Sequence, residues 1–447
     1  TEINVVLEFD AIGIDEVVAI GYGTQKKVNV IGSITSISNE ELTSAPVGRV
    51  SNALSGRLPG AIFNQQSGEP GNDIATIRIR GNSTFNENQP LIVIDGIPGR
   101  DLNSLNPEDI ENISVLKDAS AAIYGARAAN GVILVNTKKG ATDTPATFTY
   151  NFYEGFLSPA KLPEVTDAPT YANMVREMQS YRDVDESNMM FSEEDIEKFK
   201  SGEYPWTHPN TDWFDMALKD YSTTRHHNFS VSGGTPNINY YGSFGTHFDD
   251  GIYVNSSTSY NRYNLKLKID AKVNDYLSVG LDVVGIQENK NYPTTESSTL
   301  SGHWITLMQI YPTQHALYPN GMPGPDLSRG QQPMVWSSDE TGFDDDKNYR
   351  SNNIISADLK IPGIEGLNLS GYYAYDMFIQ RRKIFEKPWT LFSFDESGYL
   401  AAGNTGKEDG SDFLFPSKYG PAEPRVTNTS SYSQSKTANI KLNYNKT

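Results

Sequence analysis

Apolar and polar residues alternate along most of the chain after residue 140. Side chains of a strand point alternately to its two faces, so a period of two predicts strands that have one apolar face. We predict about eight such strands, each near the length that crosses a bilayer when tilted. Their alternating positions lie within 148–152, 229–231, 242–248, 263–271, 277–283, 355–361, 367–375 and 438–444.

The segments between these strands are alternately long and short. The short ones are 233–237, 273–275 and 362–366, and the long ones are 157–222, 249–260, 289–349 and 383–430. Outer-membrane barrels have short periplasmic turns and long extracellular loops. The alternation therefore favours a membrane barrel over the alternative, a soluble β-sandwich. The first long segment predicts helices at 170–181 and after Ser192, whose spacing to Asp195 is that of a capping box.

The first 140 residues have a different pattern, in which strand-like and helix-like runs alternate. Asn106 is a good N-cap before Pro107, and Asp95-Gly96 predicts a turn. The pattern indicates a small α/β globule of roughly 100 residues. Its predicted helices lie at 46–58 and 120–124, and its predicted strands at 77–80, 91–94, 113–116 and 132–137.

Eight strands make a barrel whose interior is just filled by its own side chains, so they cannot enclose this globule. Barrels with a plugged lumen have about 22 strands. We therefore expect the chain to be part of a larger barrel. The sequence contains no run of about 18 apolar residues, which excludes a helical membrane span. If the protein is exported, we expect its signal peptide to have been removed already.

Composition removes several other functions. The net charge of -18 excludes a nucleic-acid partner and docking on anionic lipid through basic patches. No cysteine is present, and no glycine pattern fits a phosphate, so no cofactor is expected. His226 and His227 are adjacent and would face opposite sides of a strand, so we expect no metal site there. For the acidic run 339–346, a solvated face is favoured over a calcium site.

Short motifs in the first 140 residues resemble the plug of SusC-like (SusC/RagA) TonB-dependent outer-membrane transporters. The motifs are DEVVAIGYGT at 15–24, LSGRLPG at 54–60, IRIRG at 77–81, VIDGIP at 93–98, LKDAS at 116–120, IYG at 123–125 and ANGVILV at 129–135. The resemblance implies an antiparallel membrane β-barrel of about 22 strands in the full protein, about eight of them in this chain. An N-terminal α/β plug would fill its lumen.

The resemblance also implies a division of the chain. Residues 1–14 would end a preceding small β-domain or linker, 15–24 would be a TonB-box-like segment, 25–140 the plug, and 147–447 the N-terminal part of the barrel. TonB would bind Asp15, Glu16, Val17, Val18, Ala19 and Ile20, because an extended apolar segment can add a strand to a partner's sheet. An ordinary exposed strand is the alternative for this segment.

For function, the resemblance implies TonB-dependent import of oligomeric nutrients, chiefly oligosaccharides, across the cell outer membrane. Expected partners are TonB, a SusD-like surface lipoprotein, the oligosaccharide substrate and outer-membrane lipid, in a dimer of transporter–lipoprotein pairs. No catalytic residue and no enzyme activity are expected. The alternatives are a TonB-linked receptor, a peptide-oligomer importer of the same fold, and an enzyme on a β-scaffold.

Two sets of side chains are candidates for functional roles. Arg78 and Arg80 match plug arginines of the family, and buried guanidinium groups need carboxylate partners. We expect them either to lock the plug to the barrel until it is pulled or simply to hold the two together. Aromatic rings in the long loops could stack on sugars or form the loop cores. These are Trp206, Trp213, Trp304 and Trp336.

Overall fold

The computed structural model describes residues 17–20, 23–26, 34–46, 48–79, 81, 88–117, 119–294, 300–327 and 331–445. Near the N-terminus, β1 (Val17–Ile20) pairs antiparallel with β2 (Gly23–Lys26). A globule of residues 34–137, here called the plug, follows. Its elements are β3 (Ile34–Ser38), α1 (Asn39–Thr43), α2 (Val50–Ala53), β4 (Ala61–Gln65), β5 (Ala75–Ile79), β6 (Leu91–Ile94), β7 (Ile97–Pro98), β8 (Ile110–Leu116) and β9 (Val132–Thr137).

The plug is a small α/β domain, as its sequence pattern predicts. Its main sheet has the strand order β3-β8-β9-β6-β7, and β4 pairs with β5 in a separate ribbon. The apolar side chains of α2, β8 and β9 form one buried core, with Leu54, Ile113 and Ile133 fully or almost fully inaccessible. Short 3₁₀ helices lie at Leu102–Ser104, Pro107–Asp109 and Ala119–Ala128. The predicted helix at 46–58 is shorter than expected, because regular helix covers only α2.

Long strands make up the rest of the chain. They are β10 (Thr144–Leu157), β11 (Ser222–Gly234), β12 (Ile238–Asp250), β13 (Ser259–Lys272), β14 (Leu277–Tyr292), β15 (Gly342–Lys360), β16 (Leu367–Glu386), β17 (Trp389–Phe394), β18 (Leu414–Tyr419) and β19 (Arg425–Tyr444). Among the described residues, eight of them form one antiparallel sheet in the order β10-β11-β12-β13-β14-β15-β16-β19. The eight predicted strands are therefore confirmed. Strands β17 and β18 form a hairpin within the last long connection.

Strands β10 to β16 of this sheet contact the plug on one face, and their other face points away from it. On β13, Tyr260, Arg262 and Lys266 are buried, whereas Tyr263 and Leu265 between them are exposed. We call the plug-facing side of the eight strands the wall. Burial of polar residues and exposure of apolar ones is the inverse of a soluble sheet, and it is typical of a strand with lipid outside and a polar lumen inside.

The long connections lie at one end of the strands and contain helices. These are α3 (Ala168–Ser180), α4 (Glu193–Ser201), α5 (Trp213–Ala217), α6 (Leu300–Gln309), α7 (Pro333–Trp336) and α8 (Glu396–Ala401), with 3₁₀ turns at Glu186–Asn188, Asp339–Thr341 and Ser411–Phe413. Both helices predicted in the first long connection are present, and Ser192 and Asp195 form the expected capping box. In the described part of the chain, no helix has the length and apolar character needed to cross a membrane.

Candidate functional site at the plug–wall interface

The turn between β6 and β7 brings a plug carboxylate to the wall. Asp95 has a left-handed backbone, with φ of 47°, and Gly96 follows with φ of 81°. The Asp95 side chain accepts hydrogen bonds from Thr137 and faces Lys268 at 3.5 Å and Lys266 at 3.9 Å. Burial alone would raise the pKa of Asp95, but Lys268, Lys266 and the Thr137 hydrogen bonds together lower it. The sequence-predicted turn thus ends in a buried ion-pair cluster.

The wall supplies a second carboxylate to the same cluster. Lys266 of β13 is 1% exposed as a side chain and donates to both oxygens of Asp282 on β14, at 2.9 and 3.1 Å. Lys268 lies 3.5 Å from the same carboxylate. Two lysines therefore sit between a plug aspartate and a wall aspartate. Buried charges are tolerated only when they are paired and hydrogen-bonded.

A second contact is made by the turn at Asn106, which caps the 3₁₀ helix that follows. Asp109 accepts hydrogen bonds from Tyr241 (2.8 Å) and Ser243 (2.5 Å) of β12. Burial raises the pKa of Asp109 despite these bonds. Asn106 itself donates to Asn228 of β11 at 2.9 Å.

Glu108, from the same turn, binds β10 and β11. It lies 3.2 Å from His226 and accepts from Asn228 at 2.8 Å and from Asn151 at 2.5 Å. Burial would raise the pKa of Glu108, but His226 and Asn151 outweigh it and lower the pKa. His227 points to the opposite face of β11, where its ring contacts Tyr150.

Arg49 makes the most enclosed of the described plug–wall ion pairs. The residue is 2% exposed and donates to Glu288 of β14 at 2.8 Å, to Asp73 at 3.2 Å and to the carbonyl of Gly71 at 3.3 Å. Its guanidinium lies 4.5 Å from the ring centre of Tyr260, whose hydroxyl also donates to Glu288. Burial would lower the pKa of Arg49, but Tyr260, Glu288 and Asp73 together raise it. Arg49 is therefore a permanent cation at this interface.

Two less enclosed pairs join the plug to β15 and β16. Arg100 donates to both oxygens of Asp376 on β16, at 3.0 and 2.7 Å, in the bidentate geometry that favours arginine. Arg350 of β15 lies 3.3 Å from Asp101. The plug is thus attached by charged contacts to strands from β10 to β16.

A cavity of about 600 Å³ lies between the plug and the end of the wall that bears the long connections. The plug contributes the loop around Glu69, and the wall contributes Tyr153 and His247. Trp304 of α6 closes one side. Its volume falls within the range of ligand pockets in proteins, about 300–1,000 Å³.

The site residues that the sequence predicts differ in whether the structure describes them and in how exposed they are. Of the TonB-box-like segment, Val17–Ile20 form β1, whereas Asp15 and Glu16 lie outside the described residues. Arg80 also lies outside them. Arg78 is exposed and does not have the burial expected of it here, because Ile77 and Ile79 occupy the inward face of β5. The proposed role of Arg78 and Arg80 stays a prediction.

Three of the four tryptophans are buried in the packing of the long connections, so they cannot stack on a sugar in this structure. Trp206 is 3% exposed and stacks on Tyr318 with ring centres 5.9 Å apart. Trp213 and Trp336 are 2% and 6% exposed. The indole ring is large and apolar, and the loop helices need cores of their own. Only Trp304, among these four, is half-buried and lines the cavity.

The acidic run 339–346 is not a solvated loop, contrary to expectation. Strand β15 begins at Gly342, so Asp344, Asp345 and Asp346 alternate between its faces. Asp344 is 2% exposed and pairs with Arg382 of β16, while Asp346 accepts from Gln380. Among the described residues, no group of three or more His, Asp or Glu side chains is arranged to hold a metal ion.

Comparisons with known proteins agree with this architecture. Residues 26–132 match the model of the TonB-dependent Receptor Plug Domain family. The chain is 37% identical over 290 residues to TonB-dependent receptor P26 of Formosa agariphila, covering 63% of this chain and 28% of that protein. It is 34% identical over 310 residues to TonB-dependent receptor SusC of Bacteroides thetaiotaomicron, covering 64% of this chain and 29% of that protein.

A solved structure supports the fold alone. The RagAB peptide importer in its open-open state superposes with a TM-score of 0.67 at 20% identity, over 96% of this chain and 55% of that chain. These findings confirm the resemblance to SusC-like TonB-dependent receptors and the predicted fold class, an N-terminal plug followed by antiparallel barrel strands. The chain spans less than a third of the length of the two curated relatives.

Proposed function

We propose that this chain is the plug and the first eight strands of a TonB-dependent importer that carries oligomeric nutrients, chiefly oligosaccharides, across the outer membrane. The observation that carries the proposal is a separate α/β plug attached to the inner face of barrel strands by buried ion pairs, chief among them Arg49–Glu288. A removable plug blocks a lumen at rest and clears it when pulled. The sequence similarity to TonB-dependent receptors P26 and SusC supports the same function.

The complete protein would close its barrel with about 22 strands, because a plugged lumen requires that size. Outer-membrane lipid would surround it. Exposed apolar side chains on the outer face of the sheet support this location, since lipid is the solvent in which their exposure costs least. They include Phe148, Phe229, Phe244, Leu265, Leu267 and Ile355.

Energy would enter through residues 15–20. The part of this segment that the structure describes is already an extended strand, β1, paired with β2. TonB would take this strand by adding it to a sheet edge, and the pull would pass to the plug of residues 25–140. The boundaries at 1–14, 15–24, 25–140 and 147–447 belong to this proposal.

Other partners follow from the same resemblance. A SusD-like lipoprotein would deliver substrate at the end with the long connections, and two transporter–lipoprotein pairs would form a dimer. Transport would involve no chemical step by this protein, so it is not proposed as an enzyme. A peptide oligomer is the alternative cargo, and a TonB-linked signalling receptor is the alternative activity.

The test is uptake of labelled oligosaccharides by cells that carry the full-length protein with residues 15–20 deleted. We expect uptake to be lost and substrate binding to be retained, because the deletion removes the coupling strand and leaves the plug in place. The matched control replaces residues 182–187, an equal-length exposed segment after α3, and should import normally. Persistent uptake after the deletion would contradict coupling through this segment, and peptide uptake alone would favour the alternative cargo.

A further inference from the structure

The charge that lines the cavity between plug and wall is negative. Four carboxylates line it, Glu69 and Asp73 from the plug and Asp249 and Asp250 from the end of β12. No lysine or arginine is among the lining residues that the structure describes. An anionic ligand would therefore meet like charge, which costs several kcal/mol in a desolvated contact.

Three of the four carboxylates are already engaged. Asp73 accepts from Arg49, Asp249 from His247 and Thr224, and Asp250 from Lys219. Their remaining lone pairs can still accept hydrogen bonds, but their charge is partly balanced. These three therefore favour a ligand that offers hydrogen-bond donors without requiring a full counter-charge.

Glu69 differs because, among the described residues, its carboxylate accepts one long hydrogen bond, from Asn72 at 3.5 Å. Burial raises the pKa of Glu69 to about 7. A carboxyl group with this pKa is partly protonated at neutral pH. In its protonated form it both donates and accepts hydrogen bonds, as a sugar hydroxyl does.

The rest of the lining suits a hydroxyl-bearing ligand. The Gln66 amide supplies both donors and an acceptor. Gln65 adds its carbonyl oxygen and one amide hydrogen, because its Nε2 already donates to the carbonyl of Ser67. The indole of Trp304 gives a flat apolar surface beside them. The Nδ1 atom of His247 is buried without a hydrogen-bond partner among the described residues, while its Nε2 binds Asp249.

Resting on the proposed function, we infer that this cavity binds an uncharged, hydroxyl-rich segment of the cargo, and that the importer selects neutral glycans over sulfated or uronate-bearing ones. Glu69 and Trp304 are its specificity-determining residues. Trp304 supports the sugar ring, and Glu69 exchanges hydrogen bonds with its hydroxyls.

The test uses the full-length receptor in detergent against an array of neutral, sulfated and uronate-bearing oligosaccharides. The tightest ligand should be neutral, and its affinity should fall about tenfold or more in Glu69→Leu and in Trp304→Ala, as expected when a buried hydrogen bond or an aromatic contact is lost. Glu40→Leu, at an exposed plug carboxylate on α1, is the control and should bind as the parent does.

A tightest ligand that is anionic, or unchanged affinity in both cavity variants, would overturn the inference. These outcomes leave the proposed function intact if uptake still requires residues 15–20. If uptake no longer required residues 15–20 but neutral glycans still bound most tightly, the proposed function would be wrong and the binding site would stand.

A second inference rests on a different observation, the buried residue Arg262 of β13. It is 0% exposed, and none of its three guanidinium nitrogens has a hydrogen-bond partner among the described residues. Its direct cross-strand neighbour on β14 is Glu288, whose carboxylate is held by Arg49 of the plug and by Tyr260. While the plug is docked, Arg262 is therefore a buried guanidinium without a hydrogen-bond acceptor among the described residues, and the carboxylate beside it is bonded to Arg49 and Tyr260. Burying a charge in this way is energetically costly.

The geometry points to a partner exchange. Withdrawal of the plug removes Arg49 and would leave the Glu288 carboxylate without its cation, held by the Tyr260 hydroxyl. Arg262 lies directly opposite Glu288 in the strand register. It can therefore form an ion pair with the Glu288 carboxylate as soon as Arg49 leaves. The wall would thus supply its own replacement cation, which lowers the barrier to releasing the plug. This inference also rests on the proposed function.

A double-mutant cycle on uptake tests the exchange. Arg262→Gln should slow uptake about tenfold in the parent, whereas it should have no further effect in a Glu288→Gln background, where no carboxylate needs a new partner. Arg262→Lys should recover part of the rate. Hydrogen exchange of α2 at rest should be the same in the parent and in Arg262→Gln.

Equal effects of Arg262→Gln in both backgrounds would overturn the exchange, and so would a loss of resting plug protection that Arg262→Lys does not recover. Either result would mean that Arg262 acts only on the folded wall. The dependence of uptake on residues 15–20 is measured separately, so the proposed function stands or falls independently.

Discussion

Asp95 meets two requirements at once, the backbone conformation of its turn and a negative charge at the interface with the wall. Its φ of 47° is left-handed, which asparagine and aspartate tolerate best among residues other than glycine. Its carboxylate also faces Lys266 and Lys268 of the wall. Asparagine would satisfy the turn and keep an acceptor for Thr137, so replacing Asp95 by Asn isolates the charge.

We predict that Asp95→Asn weakens attachment of the plug by about 1–3 kcal/mol at pH 7, the value typical of a hydrogen bond to a charged group. Because the folded-state pKa of Asp95 is lowered, this contribution is present above the unfolded pKa of about 3.9 and is lost as pH falls through the folded value. Hydrogen exchange of β6 and β9 should therefore differ between parent and variant at pH 7 and converge in acid. Asp143→Asn, an exposed aspartate with φ of 54°, is the control, and equal protection in Asp95→Asn and the parent at pH 7 would refute the charge contribution.

Gly48 lies where the plug backbone comes close to the wall. A Cβ atom there would lie 2.4 Å from Nε2 of His247, a buried ring fixed by its hydrogen bond to Asp249. Gly68 also lies in a plug loop, but a Cβ there meets nothing within 4 Å. The two glycines thus form a matched pair that separates contact with the wall from loss of backbone freedom.

We predict that Gly48→Ala destabilises the docked plug by about 1–3 kcal/mol, the usual cost of overpacking. Limited proteolysis of the plug in the full receptor should become faster. Gly68→Ala should leave the cleavage rate unchanged. Similar rates in both variants would mean that the plug can shift away from His247 at little cost.

Residue-level expectations were least successful where burial depends on the tertiary fold. Arg78 and Arg49 both stand in the plug sequence as single basic residues, and only the packing of α2 against β14 makes Arg49 the buried one. No local pattern marks it, since its ion-pair partner Glu288 is 239 residues away. In the same way, composition cannot tell a tryptophan that fills a loop core from one that lines a cavity.

At the level of elements, periodicity was a reliable guide. All eight strands of the large sheet and two of the three α-helices of the first long connection were predictable, because a period of two or a capping box is a local property. The ends of the strands were not. Strands β15 and β16 continue beyond the apolar alternation through polar residues such as Asp344 and Arg382, which pair with each other across the strands. Such pairing becomes visible only when the register is known.

The outer face of the strands gives a prediction at this scale. Leu265, in the middle of β13, is 54% exposed on the side away from the plug. If lipid covers that face, Leu265→Arg should destabilise the folded receptor in vesicles by about 2–4 kcal/mol, the cost of a cation near the bilayer midplane. Denaturant unfolding in lipid vesicles measures it. Leu400→Arg, on an exposed helix of the last long connection, should cost little, and equal stabilities would contradict the lipid-facing assignment.

For the whole molecule, the plug–wall contacts raise the question of how far the plug must part from the strands for import. The described ion pairs reach from β13, through Asp95, to β16, through Arg100. Exposed pairs contribute little to stability, whereas separating a buried pair is costly. Arg100–Asp376 is less buried than Arg49–Glu288, with side chains 7% and 19% exposed against 3% and 8%, so it is the better of these two contacts to replace with a covalent link.

The chain contains no cysteine, so two introduced thiols can be joined without competition from its own side chains. We predict that Arg100→Cys with Asp376→Cys, bridged by a short cleavable thiol-to-thiol linker, abolishes oligosaccharide uptake while substrate binding persists. Cleaving the linker should restore uptake, because only the tether holds the plug against β16. Each single variant treated with the linker, and the double variant without it, should import normally. Full uptake in the completely linked protein would show instead that cargo passes while the plug stays attached to β16, along its contacts with β10–β14.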